Sequence, residues 1–192
     1  MTKGNVRERL LEAGLDTLHR QSFNGTAVQD ITQAAGVPKG SFYNHFESKE
    51  ALGVAVVQRY MQRRGRHRAV LADQSLTPLD RILRYFSDLA EWAAENGYER
   101  GCLIGNFATE LSGQSPAIRQ ELTSSIQEWV QVLAAVISEA QQTGQVSHEL
   151  PPLETANLLI DAWQGAVMHS KVEQNGAPVR RFLSGTLKRL LL

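Results

Sequence analysis

A row of small, basic, amide and phenolic side chains in residues 39–44 is suited to contact with a DNA groove. Gly40 and Ser41 leave room for the backbone to approach base edges, and Asn44 offers a paired hydrogen-bond donor and acceptor. Lys39 and Tyr43 are side chains of the kinds that contact phosphates. The alternative is an ordinary helical corner with a solvated polar face.

The single cysteine, Cys102, is the second group that could do chemistry. The pattern predicts that it lies in the first turn of a helix, where partial positive charge stabilises a thiolate. Arg100 would strengthen this effect and Glu99 would oppose it. A stabilised thiolate is a target for electrophiles and oxidants. The alternative is that Cys102 is a small buried hydrophobic residue.

Two short helices and a tight turn are predicted to position the polar row. Thr26 and Gln29 form a capping-box pattern for the first helix, and Gly36 is placed to end it in a left-handed conformation. Pro38 suits the first turn of the next helix, over roughly 39–44. Phe42 and Phe46 would face inward, and Ser48 could cap the helix that follows. This arrangement describes a helix-turn-helix motif.

The rest of the chain is predicted to be helical, which gives an all-α protein of nine helices. Helical spacing of apolar residues precedes the motif, and no strand pattern, repeat or low-complexity segment stands out. Short connections predict antiparallel neighbours. The helices after the motif are predicted over about 48–71, 78–96, 102–111, 117–143, 153–172 and 179–191.

Charge is distributed unevenly along a chain whose formal net charge is zero. Residues 1–70 hold 11 Lys and Arg against 6 Asp and Glu, a balance of +5, and residues 71–192 hold 9 against 14, a balance of −5. A basic head on an acidic body is expected if only the head meets phosphate. Five arginines end the fourth predicted helix, either as a solvated face or against acids of the body: Arg59, Arg63, Arg64, Arg66 and Arg68.

Several classes of protein are not favoured by the sequence. One cysteine excludes an intrachain disulfide, and the start MTKGNVRERL lacks the apolar core of a signal peptide. The longest run without Asp, Glu, Lys or Arg is ten residues, too short to cross a bilayer. The five histidines have no metal-binding spacing, so neither a metal nor a cofactor is expected. We therefore expect a cytoplasmic protein without a membrane partner.

Residues 5–53 resemble the N-terminal domain of the TetR family of bacterial repressors. The resemblance rests on Ala34, Gly36, Val37, Lys39, Gly40, Phe42, Tyr43, His45, Phe46, Lys49, Glu50 and Leu52. It implies a helix-turn-helix DNA-binding domain over 1–50 and a helical ligand-sensing and dimerisation domain over 51–192. It also implies a double-stranded DNA operator. The expected DNA-binding residues are Thr26, Lys39, Gly40, Ser41, Tyr43, Asn44, His45 and Lys49.

The last two predicted helices, the eighth and ninth, carry more apolar surface than one core contact needs. The eighth also holds Ala162, Gly165 and Ala166, whose small size permits close helix approach. The resemblance implies that this pair meets its symmetry mate in a four-helix bundle. In such a homodimer the two recognition helices would lie about 34–36 Å apart and read an imperfect palindrome. The alternative is that both helices are internal.

The string Gly-Cys-Leu-Ile-Gly-Asn-Phe-x-x-Glu-Leu, residues 101–111, is similar to a TetR subgroup. That subgroup includes the N-ethylmaleimide reductase repressor and the acrylate-responsive regulator. The resemblance implies that Cys102 senses electrophiles or reactive chlorine species together with Lys171. An amine beside an oxidised sulfur could trap it as a sulfur–nitrogen bond. A small-molecule inducer is the alternative, with these candidate pocket walls: Trp92, Tyr98, Phe107, Trp129, Trp163 and His169.

Three functions are compared for this chain. The favoured one is a dimeric repressor released from DNA by an inducer, in which the helix over 48–71 links head to body. A small helical enzyme with a Cys102 nucleophile lacks a His–Asp partner pattern, a phosphate loop and a metal set. A helical adaptor that binds protein through its head would show no salt-dependent DNA binding.

Overall fold

The computed structural model describes residues 5–192, and its regular elements are all helical. The helices are α1 (Val6–Gln21), α2 (Val28–Ala34), α3 (Lys49–Arg68), α4 (Pro78–Glu95), α5 (Leu103–Leu111), α6 (Pro116–Gln142) and α7 (Pro152–Glu173). The last helical stretch runs from α8 (Ala177–Arg181) through a π-helical segment (Phe182–Thr186) into α9 (Leu187–Leu191). The predicted all-α fold is confirmed.

Capping residues explain where several helices begin and end. The Thr77 hydroxyl accepts from the N–H of Asp80 at the start of α4, and Ser48 does the same for Ala51 in α3. Gly36, Gly97 and Gly144 follow α2, α4 and α6 with φ of 63°, 62° and 69°. These left-handed positions favour glycine, so the predicted ends of these helices are confirmed.

The predicted cap of α2 was wrong. The helix begins at Val28, and the Asp30 carboxylate accepts from the N–H of Ala27, so Asp30 takes the role assigned to Gln29. The Thr26 hydroxyl instead donates to the carbonyl of Ser22 at 2.7 Å. The reason is burial: Thr26 is only 1% exposed, and its hydroxyl satisfies a carbonyl of the preceding turn.

The described chain forms two compact units, each built from two stretches of sequence. The first unit comprises the residues up to Arg63 together with Leu103–Ser125, and the second comprises Arg64–Cys102 together with Ile126–Leu192. Helices α3 and α6 each contribute to both. Within the described residues no helix is both long and apolar enough to cross a membrane. The functional division at residue 50 stays a prediction.

The core of the second unit is centred on three aromatic side chains. Phe86, Trp163 and Phe182 lie with ring centroids 5.0–5.8 Å apart and are at most 2% exposed. Tilted and edge-to-face pairs of this kind add stability beyond the area they bury. They join α4, α7 and the π-helical segment, and so hold in place the helices that surround the cavity described below.

Candidate nucleic-acid interface and sensing site

The second element of the helix-turn-helix motif is a 3₁₀ turn rather than an α-helix. It covers Lys39–Ser41, and hydrogen-bonded turns continue to Phe46, whose N–H donates to the carbonyl of Phe42. Gly40 disfavours an α-helix at this point, and a short 3₁₀ piece needs only i to i+3 bonds. Phe42 is fully buried and Phe46 is 5% exposed, as their spacing predicts. This aromatic pair anchors the turn from below.

Most side chains of the predicted polar row point to solvent. Lys39, Gly40 and Asn44 are exposed, Ser41 is half-buried and Tyr43 is 59% exposed. A Cβ atom built on Gly40 would meet nothing within 4 Å, so internal packing does not demand glycine there. An open backbone at this position is free for approach by an external partner.

Thr26, His45 and Lys49 are less accessible than the rest of the predicted set. Thr26 is buried and His45 is half-buried. The Lys49 ammonium donates to the carbonyls of Phe23 at 3.0 Å and Thr26 at 2.9 Å, and it lies 4.4 Å from the centre of the Phe23 ring. Lys49 therefore holds the loop before α2 against the start of α3.

Two charged side chains that were not predicted from the sequence support the helix-turn-helix motif. Arg9 of α1 donates to the carbonyls of Ala35 at 2.5 Å and Gly36 at 2.8 Å, where α2 ends. Glu110 of α5 accepts from the N–H groups of Phe23 at 2.9 Å and Asn24 at 2.6 Å. The only signal for Glu110 was its place in the string over 101–111. Both contacts join residues far apart in sequence.

The arginines at the end of α3 are largely engaged within the protein. In the first unit, Arg59 pairs with Glu8 and Glu12, and Arg63 also pairs with Glu12. These hydrogen bonds raise the pKa of Arg59 above its ordinary value. In the second unit, Arg68 pairs with Glu128 at 2.8 Å, while Arg66 is exposed. The prediction that these five arginines form a solvated face therefore holds for only some of them.

Cys102 lies immediately before α5 and is buried, with 5% of its surface exposed. Its sulfur accepts a hydrogen bond from the Gln164 side-chain amide of α7 at 3.4 Å. Lys171, the amine predicted to act with it, is half-buried and seven residues beyond Gln164 on the same helix. That separation is about 10 Å along the helix axis.

A small cavity lies in the second unit between α4 and α7, and we call it the α4–α7 cavity. Of the predicted pocket walls it includes Trp92, Tyr98 and Trp163, but its lining does not include Phe107, Trp129 or His169. Phe107 instead packs edge-on against Phe23 in the first unit, and His169 is exposed. The cavity measures about 10 Å³, which is the room of about one water molecule.

Arg64 and Arg100 are the charged residues that line the α4–α7 cavity. Arg64 stacks on the Trp92 ring with its central carbon 4.4 Å from the ring centre. Close by, burial raises the pKa of the Tyr85 hydroxyl well above its usual value, although Arg64 and Arg68 act in the opposite direction. Residues 5–192 contain no cluster of three or more His, Cys, Asp and Glu side chains arranged to hold a metal ion.

Residues 39–46 form an exposed polar turn that rests on a buried aromatic pair, and the second compact unit contains a cavity. In a helical protein these are the features of a helix-turn-helix DNA-binding regulator. Comparison with known proteins specifies the family. Residues 10–56 match "Bacterial regulatory proteins, tetR family", and residues 78–186 match "Tetracyclin repressor-like, C-terminal domain". The chain belongs to the TetR family, and it is a regulator rather than an enzyme.

Relatives match the chain over nearly its whole length. The HTH-type transcriptional repressor DhaR of Mycobacterium sp. (strain GP1) is 42% identical over 100% of this chain and 95% of its own. The HTH-type transcriptional repressor NemR of Escherichia coli (strain K12) is 30% identical over 95% and 92%. The crystal structure of regulatory protein TetR from Rhodobacter sphaeroides has a TM-score of 0.90 and 31% identity, and covers 96% of this chain and 98% of that one.

Proposed function

We propose that the chain is a dimeric transcriptional repressor that leaves a palindromic operator when an electrophile or oxidant modifies Cys102. The observation that supports DNA binding best is the exposed polar row on the 3₁₀ turn. Both relatives described above are named repressors, which supports the sign of regulation. A DNA target implies that the protein acts in the cytoplasm.

Each residue of the polar row has a proposed role in DNA binding. Lys39 and Tyr43 contact phosphates, while Ser41 and Asn44 reach base edges and Gly40 allows the backbone to come close. His45 borders the phosphate side. Thr26 and Lys49 contribute indirectly, because their polar groups bond to the loop before α2 and hold the motif in position.

The proposed homodimer forms through α7 and the α8–α9 stretch, the eighth and ninth predicted helices. Leu158, Met168 and Val172 of α7 are 39%, 54% and 79% exposed, an unusual amount of apolar surface for one helix. Together with Ala162 and Gly165 they follow one face of α7, because their spacing returns to the same side of a helix. A twofold axis would bury this face against its own copy.

The dimer is tested with two glutamate substitutions on α7. Val172→Glu places a charge in the proposed interface, so we expect monomers by light scattering and loss of operator binding. Leu153→Glu is the matched control, because Leu153 is 47% exposed but lies outside this face, about 120° around the helix from Gly165 at its middle. Dimers that survive Val172→Glu would contradict the interface.

Modification of Cys102 is proposed to act through α5. A quinone or other unsaturated carbonyl adds to the sulfur: an S–C bond forms, the C=C π bond breaks, and the thiol proton ends on the neighbouring carbon. Because Cys102 is buried against Gln164, the added atoms must displace their neighbours. The next residue begins α5, which carries Glu110 and thus the contacts to Phe23 and Asn24 before α2.

Lys171 is proposed to act only in the response to oxidants. Hypochlorous acid oxidises the thiol to a sulfenic acid with release of HCl. The Lys171 amine, about 10 Å further along α7 than Gln164, must then move to the sulfur, where it displaces water to form an S–N bond. Addition of a quinone needs no amine. We therefore expect Lys171→Met to lose release by hypochlorous acid but to keep release by a quinone. Equal responses to both reagents would remove Lys171 from the proposal.

Reversible binding of a small organic ligand is the second candidate for the trigger. The α4–α7 cavity supports it, because Trp92, Tyr98 and Trp163 come together there. This candidate needs no covalent chemistry at Cys102 and uses the second unit alone. It predicts an inducer that can be removed by dilution.

The deciding experiment is a mobility shift on the DNA just upstream of the chain's own gene, with and without a quinone. Release from DNA in the wild type, and no release in Cys102→Ser, is the expected result. A Cys102→Ser protein that is still released by the same electrophile would contradict the covalent trigger. DNA that stays bound in the wild type at saturating electrophile would favour the reversible ligand.

A further inference from the structure

We propose that Arg9, assisted by Arg7, is a positioning residue for DNA recognition, which orients the polar row from α1 without contacting a base. The inference rests on the proposed function, because it gives these two side chains a part in operator binding. It is carried by contacts at both ends of the polar row, one before Lys39 and one after Asn44.

The contact before the polar row is a pair of hydrogen bonds from one nitrogen atom. Arg9 Nη2 donates to the carbonyl of Ala35 at 2.5 Å and to the carbonyl of Gly36 at 2.8 Å. The N–H groups of Gly36 and Val37 bond back to carbonyls of α2 and so close this helix from within. A cation at the C-terminal end of a helix also meets the negative end of its dipole. Arg9 therefore ties the end of α2 to α1.

Gly36 is the residue that lets Arg9 approach so closely. Its φ is 63°, a left-handed conformation that costs glycine little. A Cβ atom at this position would lie 3.0 Å from Arg9 Nη2, so a side chain would press on the guanidinium group. Glycine serves two purposes here, the direction of the turn and the room for Arg9.

The link from Gly36 to the polar row is short and stiff. It consists of Val37 and Pro38, and proline both fixes its own φ, −59° here, and restricts the residue before it. The Pro38 carbonyl then accepts from the N–H of Ser41 at 2.9 Å, which closes the 3₁₀ turn. Because few torsions are free, the position of the Gly36 carbonyl sets the direction in which the polar row leaves α2.

The contact after the polar row joins Arg7 to Phe46. The central carbon of the Arg7 guanidinium group lies 5.2 Å from the centre of the Phe46 ring, within the range of a cation–π interaction. Between the two arginines, Glu8 pairs with Arg59 of α3 at 2.7 Å. Three successive residues of α1 thus hold the motif on both sides of the polar row and fix it to α3.

Misorientation of the polar row should reduce specificity more than overall affinity for DNA. Hydrogen bonds to base edges need particular distances and angles, whereas contacts to phosphates carry no sequence information. Loss of Arg9 should therefore weaken operator binding and leave non-specific binding in place. Arg9 is exposed, so a direct phosphate contact is the competing explanation. Such a contact would weaken both kinds of binding alike and lower the salt slope by about 1.

The test measures two affinities of the full-length protein by fluorescence anisotropy. One duplex carries the operator located upstream of the chain's own gene, and the other is a random sequence of the same length. The ratio of the two affinities does not depend on the fraction of active protein, so partial unfolding of a variant cannot imitate the effect. In Arg9→Met this ratio is expected to fall at least about tenfold, which is the worth of one well-placed base contact.

Three further variants locate the cause. Arg20→Met is the matched control, since it removes the same charge from the same helix and Arg20 pairs with Asp16 of α1 at 2.5 Å. Arg9→Lys should restore most of the ratio, because both bonds come from one nitrogen and an ammonium group can also donate twice. Arg7→Met should lower the ratio less than Arg9→Met, because an exposed cation–π contact is weaker than two hydrogen bonds from a charged group.

Two results would overturn the proposal. One is an equal ratio in Arg9→Met and Arg20→Met, and the other is a loss from both duplexes alike with a lower salt slope. No recovery in Arg9→Lys would contradict the assignment of the effect to the two carbonyl bonds. A wild-type protein that binds both duplexes equally would contradict the proposed function itself, and this inference with it.

Discussion

Replacing Glu110 with glutamine is expected to loosen the loop that leads into the helix-turn-helix motif. One carboxylate accepts from the N–H groups of Phe23 at 2.9 Å and Asn24 at 2.6 Å. Glutamine has a single acceptor oxygen, and its amide nitrogen is a donor that cannot bond to the second N–H. One hydrogen bond is therefore lost, and the other loses its charge assistance.

The magnitude follows from the type of each bond. A hydrogen bond to a charged group contributes about 1.5–3 kcal/mol and a neutral one about 0.5–1.5 kcal/mol. Two charged bonds thus become one neutral bond. Because Asn24 is exposed, solvent screens its bond, and we expect the free energy of unfolding to fall by about 2 kcal/mol. For a chain of this length that lowers the Tm by about 4–8 °C.

Two assays on the same variant separate stability from positioning. Urea unfolding followed by circular dichroism measures the free energy of unfolding, and anisotropy of a labelled operator duplex measures DNA affinity. The control is Glu121→Gln, because among residues 5–192 Glu121 bonds only to the exposed side chain of Gln58, so this change should alter stability by less than about 0.5 kcal/mol. Lower stability with unchanged DNA affinity would refute the route from α5 to the motif. If neither the free energy of unfolding nor the DNA affinity changed, the hydrogen bonds of Glu110 would contribute nothing.

Three further predictions rest on other contacts. Lys49→Met should lower the free energy of unfolding by about 2 kcal/mol, because two hydrogen bonds from its ammonium are lost. Lys39→Met should leave the free energy of unfolding unchanged and reduce the slope of log affinity for DNA against log salt concentration by about 1. The reverse pattern would contradict both roles. Burial, helped by Arg64, lowers the pKa of His67 below 6.5, so the unfolded chain takes up this proton at a higher pH than the folded chain does. The free energy of unfolding should therefore decline as pH falls through 6.5. Urea titrations at about pH 7.5 and pH 5 should show this decline in the wild type and not in His67→Gln. Gly176→Ala should lower the Tm because the added methyl group meets Tyr98, while Gly65→Ala, which meets nothing within 4 Å, should leave it equal or higher; equal losses would refute this packing.

Local sequence signals predicted most of the elements correctly. Pro78 and Thr77 mark the start of α4, Ser48 caps α3, and Gly36 and Gly144 take the left-handed positions that end helices. These features depend on a residue and its nearest neighbours, so the chain alone carries them. The burial of Phe42 and Phe46 followed in the same way from their spacing of four residues.

The errors occurred where burial, or the compact unit to which a residue belongs, decided what its side chain contacts. The Thr26 hydroxyl fits a helix cap by pattern, but in the folded chain it lies buried and bonds to Ser22, while Asp30 supplies the cap. Among the candidate pocket walls, Trp92 and Phe107 were equivalent in the sequence. Only Trp92 lines the cavity, because Phe107 belongs to the other compact unit and packs on Phe23.

The sequence by itself determined the helical class, the helix-turn-helix motif, the family and the exposed polar row on residues 39–44, because periodicity, caps and turn residues are local properties. Only the tertiary structure decided which partners the charged groups meet: Glu110 bonds to the loop before α2, and Lys49 bonds to the carbonyls of Phe23 and Thr26. Those groups lie tens of residues apart. Their partners follow from how the helices pack, which no local pattern encodes.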